Sequence, residues 1–138
     1  MKILLSLLFI FSTLVTFGDH HGKKKPLKAF MITGGCCHDY PKQKNIISEG
    51  ISERVPTKWD IFFEMDEKKS KARLNKKGWA DGYDYIVYNH CFAHEKDAKF
   101  VKSIADIHKA GKPAIALHCA MHSYHWSVKP AEGKKENS

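Results

Sequence analysis

Short apolar runs separated by polar and helical stretches outline the chain. Lys28-Ala29-Phe30-Met31-Ile32-Thr33 stops at Gly34-Gly35, which predicts a buried first strand turning into a loop. Thr57 to Glu64 and Tyr83 to Tyr88 are rich in β-branched and aromatic residues and predict the second and third strands; Pro113 to His118 predicts the fourth. Between the first two strands, Pro41 opens a segment to Arg54 in which Ile46, Ile47 and Ile51 recur at helical spacing. Proline is favoured at a first helical position because its missing N–H costs nothing there. A second helix is expected from Asp97 to Ala110, with Phe100, Val101, Ile104, Ala105 and Ile107 or His108 on one face and Gly111 as its stop. Apolar strands alternating with helices predict a parallel α/β sheet covered on its faces. Right-handed crossovers then favour a flavodoxin-like or Rossmann-like three-layer arrangement, with the first and third strands adjacent at the switch point.

The ends of the chain differ from this pattern. Lys2 is followed by a nearly unbroken apolar run from Ile3 to Phe17, then Gly18 and a polar stretch. A basic start, a short apolar core and a small residue before a polar break predict a secretory signal peptide over 1–18, cleaved after Gly18. The run is shorter than the about 20 apolar residues of a spanning helix. A polar linker follows over 19–27, the folded domain over 28–126, and a polar tail over 127–138. The expected location is therefore secreted or periplasmic. In an oxidising compartment Cys36, Cys37, Cys91 and Cys119 can pair in three ways that sequence does not separate, and their spacing is not that of a disulfide framework.

The formal net charge is +8, concentrated in Lys23 to Lys28 and in Glu67 to Lys77. The second run, containing Lys68, Lys69, Lys71, Arg73, Lys76 and Lys77, reads as a solvated connection. Neither run is interleaved with aromatics for base stacking, so nucleic acid is not an expected partner. Gly34-Gly35 lacks the spacing of either nucleotide-binding fingerprint.

Most histidines and all four cysteines fall in three segments that follow strands one, three and four: Gly34 to Tyr40, Asn89 to His94, and His118 to His125. Strand carboxyl ends share one rim in an open parallel sheet, and ligands bind in the crevice there. The three segments are therefore expected to form one site. His118, His122 and His125 are spaced to share one side of a helix, with Cys36, His38, His90 and Cys91 arriving from neighbouring strands. A metal set of His118, His122 and Cys91 follows, and mixed imidazole and thiolate donors point to zinc. No standard C-x-x-C or H-E-x-x-H signature is present. Asp39 has two readings: cap of the helix beginning near Pro41, or acid/base partner beside His38.

Ile32 to Tyr40, Tyr88 to Phe92 and Ala116 to Tyr124 together resemble the ThuA-like (trehalose-utilisation) family, in order across the domain. The resemblance implies a class I glutamine amidotransferase-like fold and a link to carbohydrate metabolism. It also implies an incomplete domain, since the family's domain continues beyond the equivalent of Tyr124, and hence a homo-oligomer or a partner domain covering the sheet. The fold commonly places a nucleophilic cysteine at a strand-to-helix turn, the position of Cys119, with His38, His90 or His122 as base. The usual glycine-flanked elbow is absent, and glutamine hydrolysis is not expected. The resemblance thus implies a sugar-directed hydrolase or isomerase using His38, Asp39, Cys119 and His122. Tyr40, Asn89, His90, Phe92, His118 and Tyr124 would contact the carbohydrate or other small-molecule ligand. A non-catalytic metal- or ligand-binding module, or an inactive fragment, is the alternative.

Overall fold

The computed structural model describes residues 25–124 of the 138. The segment 1–18 expected as a signal peptide, most of the expected linker, His125, Trp126 and the stretch 127–138 lie outside the described residues. The elements run β1 (Leu27–Gly35), α1 (Tyr40–Ser52), β2 (Thr57–Phe63), α2 (Glu67–Leu74), β3 (Tyr85–Cys91), α3 (Ala98–Lys109), β4 (Ala114–Ala116) and a 3₁₀ turn (His118–Met121). All strand pairs are parallel, in the order β2-β1-β3-β4. The α/β class and the adjacency of β1 and β3 agree with the sequence pattern. Ile32 sits between Phe62 and Tyr88 in register, and Gly35 opposite Cys91.

Each helix begins where a carboxylate satisfies free backbone N–H groups. Asp39 accepts from the Lys42 N–H at 3.2 Å, Asp66 from Lys68 and Lys69 at 2.8 and 3.2 Å, and Asp97 from Lys99 and Phe100 at 3.0 and 3.1 Å. Strand periodicity then sorts side chains between the two faces. Phe30 and Ile32 of β1 and Ile86 and Tyr88 of β3 pack with Leu74 of α2, Phe100 and Ile104 of α3, and Trp79 from the α2–β3 loop. The opposite face receives α1.

The run Glu67 to Lys77 is not the solvated connection its charge suggests. Its first part is α2, which buries Ser70 and Leu74. Lys71 pairs with Glu95 and Asp97 at 3.1 and 3.0 Å, and the Arg73 guanidinium lies 4.9 Å from the Phe30 ring centroid. Long basic side chains thus cover apolar surface while their heads meet acids or water. Among the described residues, no helix is long and apolar enough to cross a membrane.

Candidate functional site

Three strand ends meet at the rim because the chain turns sharply after each. At the end of β1, Gly34 and Gly35 have φ of +140° and +91°. A Cβ on Gly34 would collide with the Glu64 carbonyl, and one on Gly35 with the Cys91 carbonyl. Only glycine lets β1 finish this close to both neighbours. Cys36 and Cys37 are thereby carried across the end of the sheet, and His38 reaches the β4 side. After β4, the Leu117 N–H donates to the Tyr88 carbonyl at 2.9 Å, prolonging the β3 pairing. His118 then takes φ of +43° and the chain enters the 3₁₀ turn. Ser123 anchors that turn: its Oγ accepts from the Phe92 N–H at 3.1 Å and donates to the His90 carbonyl at 3.2 Å.

A cavity of about 410 Å³ opens between α1 and the ends of β3 and β4, lined by His38, Tyr40, Gln43, Ile47, Asn89, Leu117, His118 and Cys119. Within it, His38 Nε2 lies 3.0 Å from Cys119 Sγ. The His118 ring stands edge-on to the His38 ring, centroids 5.0 Å apart. Donor atoms of His38, His118 and Cys119 all fall within 4.8 Å of one another, close enough to hold one metal ion. Asn89, at the cavity floor, donates to Thr33 Oγ1 at 3.2 Å.

The sulfurs of Cys36, Cys37 and Cys91 make a second group, also within 4.8 Å of one another. Cys36 and Cys37 are disulfide-bonded, while Cys91 and Cys119 are free thiols. Burial raises the Cys91 pKa, and the neighbouring Cys119 sulfur adds to the rise. Tyr40 stands where the two groups approach. Its hydroxyl donates to the Cys36 carbonyl at 2.9 Å, and its pKa is pushed up to about 12 by burial and then by the Cys91 and Cys119 sulfurs.

The remaining residues singled out from sequence lie elsewhere. His90 is 1% exposed and sits on the opposite face of the sheet from the cavity, its ring 4.7 Å from Phe92 and 5.6 Å from Tyr124. Burial pushes its pKa down to about 3, so the ring is neutral. Phe92 and Tyr124 share that environment, Tyr124 packing edge-on against Phe100 at 5.8 Å. These three residues, expected as ligand contacts, are built into the core side. Asp39 is exposed and caps α1.

The metal set expected from spacing is also rearranged. His118 joins His38 and Cys119, Cys91 joins Cys36 and Cys37, and His122 belongs to neither group. The segment is a 3₁₀ turn rather than an α-helix, and at about 3 residues per turn positions four apart do not share a face. Gln43 and Ile47 were missed as cavity residues. With Tyr40 they form an i, i+3, i+7 stripe on α1, a signal that was readable in the sequence. Glu64 and Asp66 line a separate cleft of about 820 Å³ with Glu67, Lys71, His94 and Glu95. There burial and the Glu95 carboxylate raise the pKa of Glu67.

No protein-family model, curated protein or solved structure matches the chain.

Proposed function

We propose that the protein is an exported hydrolase of a carbonyl-bearing carbohydrate derivative, such as a sugar lactone or ester, bound in the rim cavity. The observation that carries this reading is the 3.0 Å contact between Cys119 Sγ and His38 Nε2 inside that cavity. A thiol is a nucleophile as its thiolate, and an imidazole in hydrogen-bond contact can accept the proton. In the reaction His38 takes the Cys119 proton and Sγ bonds to the carbonyl carbon. The leaving oxygen then receives the proton from His38, and water releases the thioester with His38 as base. Tyr40, Gln43 and Asn89 supply polar contacts for hydroxyl groups, and Ile47 and Leu117 an apolar wall. The ThuA-like resemblance of the three rim motifs supports a carbohydrate as the substrate class. The apolar segment 1–18 supports export.

A zinc ion held by His38, His118 and Cys119 is the second reading. It is favoured by the convergence of three donors on a cavity, which leaves a fourth position for water or ligand. The two readings use the same atoms and exclude each other.

Turnover of a panel of sugar lactones and esters, measured on chelator-dialysed and zinc-loaded protein, separates them. Activity in the metal-free protein, reduced about 10²-fold or more by Cys119→Ala and by His38→Gln but little by His118→Ala, is the expected result. Undiminished turnover in Cys119→Ala refutes the nucleophile. Activity only with stoichiometric zinc, lost in His118→Ala, replaces it by the metal reading.

A further inference from the structure

Three sulfurs meet at the tip of β1, beside the Cys119–His38 pair, whose Cys119 neighbours Cys91. Cys36 and Cys37 share a disulfide bond, and the free thiol of Cys91 places its Sγ 3.6 Å from Cys36 Sγ. Exchange proceeds by attack of a thiolate on a disulfide sulfur, and here attacker and target are already in contact. The backbone accommodates the product. Cys91 is the register partner of Gly35 on the adjacent parallel strand, one residue before Cys36. With strands about 4.8 Å apart and a rise of about 3.3 Å per residue, the diagonal Cys36–Cys91 pair comes to roughly 5.8 Å between Cα atoms, inside the about 4.4–6.8 Å that a disulfide spans. Cys36 and Cys37 are exposed and Cys91 is half-buried, so the pair faces solvent and the third thiol lies behind it.

We propose that Cys36, Cys37 and Cys91 form a thiol–disulfide exchange centre that oxidises external dithiols, with Cys91 as the inner thiol to which the disulfide bond passes. In the inner step the Cys91 thiol loses its proton to solvent and Sγ bonds to Cys36 Sγ. The Cys36–Cys37 bond breaks with its electron pair leaving on Cys37 Sγ, which takes a proton from solvent; nothing is oxidised or reduced overall. In the outer step one thiolate of the dithiol attacks Cys37 Sγ and releases Cys36. The second thiolate attacks the substrate's own sulfur in that mixed disulfide and releases Cys37. The dithiol becomes a disulfide, and Cys36 and Cys37 gain two electrons and two protons. Because the thiolate is the attacking species, the inner step quickens as pH rises.

The test uses the full chain, oxidised with glutathione disulfide, incubated at neutral and alkaline pH, quenched in acid, alkylated with N-ethylmaleimide and mapped by peptide mass spectrometry. Two disulfide isomers are expected, Cys36–Cys37 and Cys36–Cys91, interconverting faster at alkaline pH, with one disulfide per chain reduced by one equivalent of dithiothreitol. Cys91→Ser should hold only Cys36–Cys37, Cys37→Ser should form Cys36–Cys91, and Cys119→Ser should retain both isomers. Circular dichroism of each variant verifies that it is folded. A folded Cys37→Ser protein that leaves Cys36 and Cys91 open to alkylation, or that joins Cys91 to Cys119 instead, overturns the proposal. So does a wild-type protein that keeps Cys36–Cys37 alone at every pH.

Discussion

The buried His90 makes the stability of the fold depend on pH in a calculable way. Its pKa is about 3 in the folded protein against the usual 6.5. The unfolded chain therefore binds a proton that the folded protein refuses throughout the interval between these values. Well above about pH 6.5 both states carry a neutral ring and the dependence vanishes; as pH falls from there toward about 3, stability is progressively lost. At about pH 5 the solution lies roughly 1.5 units below the unfolded pKa, and at about 1.4 kcal/mol per unit the loss is about 2 kcal/mol. For a domain near 100 residues this lowers Tm by on the order of 10 °C. Urea unfolding followed by far-UV circular dichroism, at about pH 7.5 and about pH 5, measures the total. Carboxylates contribute to that total, so the informative quantity is the difference between wild type and His90→Phe. The surrounding Tyr88, Phe92 and Tyr124 rings make phenylalanine a compatible replacement. The variant should lose about 2 kcal/mol less than wild type between the two conditions. An identical pH dependence in both proteins would refute the reasoning and return His90 to solvent.

Two further predictions concern the elements that frame the site. Leu74→Ala should destabilise the fold by about 2–5 kcal/mol in the same unfolding assay, because Leu74 is 1% exposed in the core beneath α2. A cost below about 0.5 kcal/mol would mean that the basic segment is a solvated connection after all. Asp39→Ala should cost about 1 kcal/mol by uncapping α1, with Asp39→Asn restoring stability and both variants turning over substrate like wild type. A stable but inactive Asp39→Asn protein would instead assign the carboxylate to the chemistry.

Strand runs, the segments of α1 and α3 and the convergence on one rim were legible because each rests on local rules. Apolar runs ending in glycine, Asp followed by helical spacing, and parallel βαβ order are all written within a few residues of one another. α2 escaped because its apolar content is small: two buried positions, Ser70 and Leu74, amid basic residues. Its contacts, Leu74 in the core, Lys71 meeting Glu95 and Asp97, and Arg73 meeting Phe30, are made to partners distant in sequence. The grouping of donors was hidden for a related reason. That His38 meets Cys119, 81 positions away, depends on how far the turn after Gly35 carries the chain across the rim. The positive φ of Cys37, +85°, belongs to that turn and has no sequence signature in a non-glycine residue.

The division of the rim follows from strand parity. In β3, Tyr88 and His90 point to the face filled by α2, α3 and aromatic rings, whereas Asn89 points to the face covered by α1 and floors the cavity. β1 obeys the same alternation: Phe30 and Ile32 go to the aromatic core, and Thr33 meets Asn89 on the other side. Two adjacent polar residues of one motif, Asn89 and His90, thus have unrelated roles. One can address a ligand; the other is a neutral ring locked between Phe92 and Tyr124. A slip of one residue in the β1–β3 register would exchange them, placing an amide in the aromatic core and an imidazole in the cavity. Burial of Tyr88, His90 and Phe92 on the aromatic face holds the register against it. In that register Gly35 lies opposite Cys91, where a side chain would strike the Cys91 carbonyl, and the Cys36, Cys37 and Cys91 sulfurs come together.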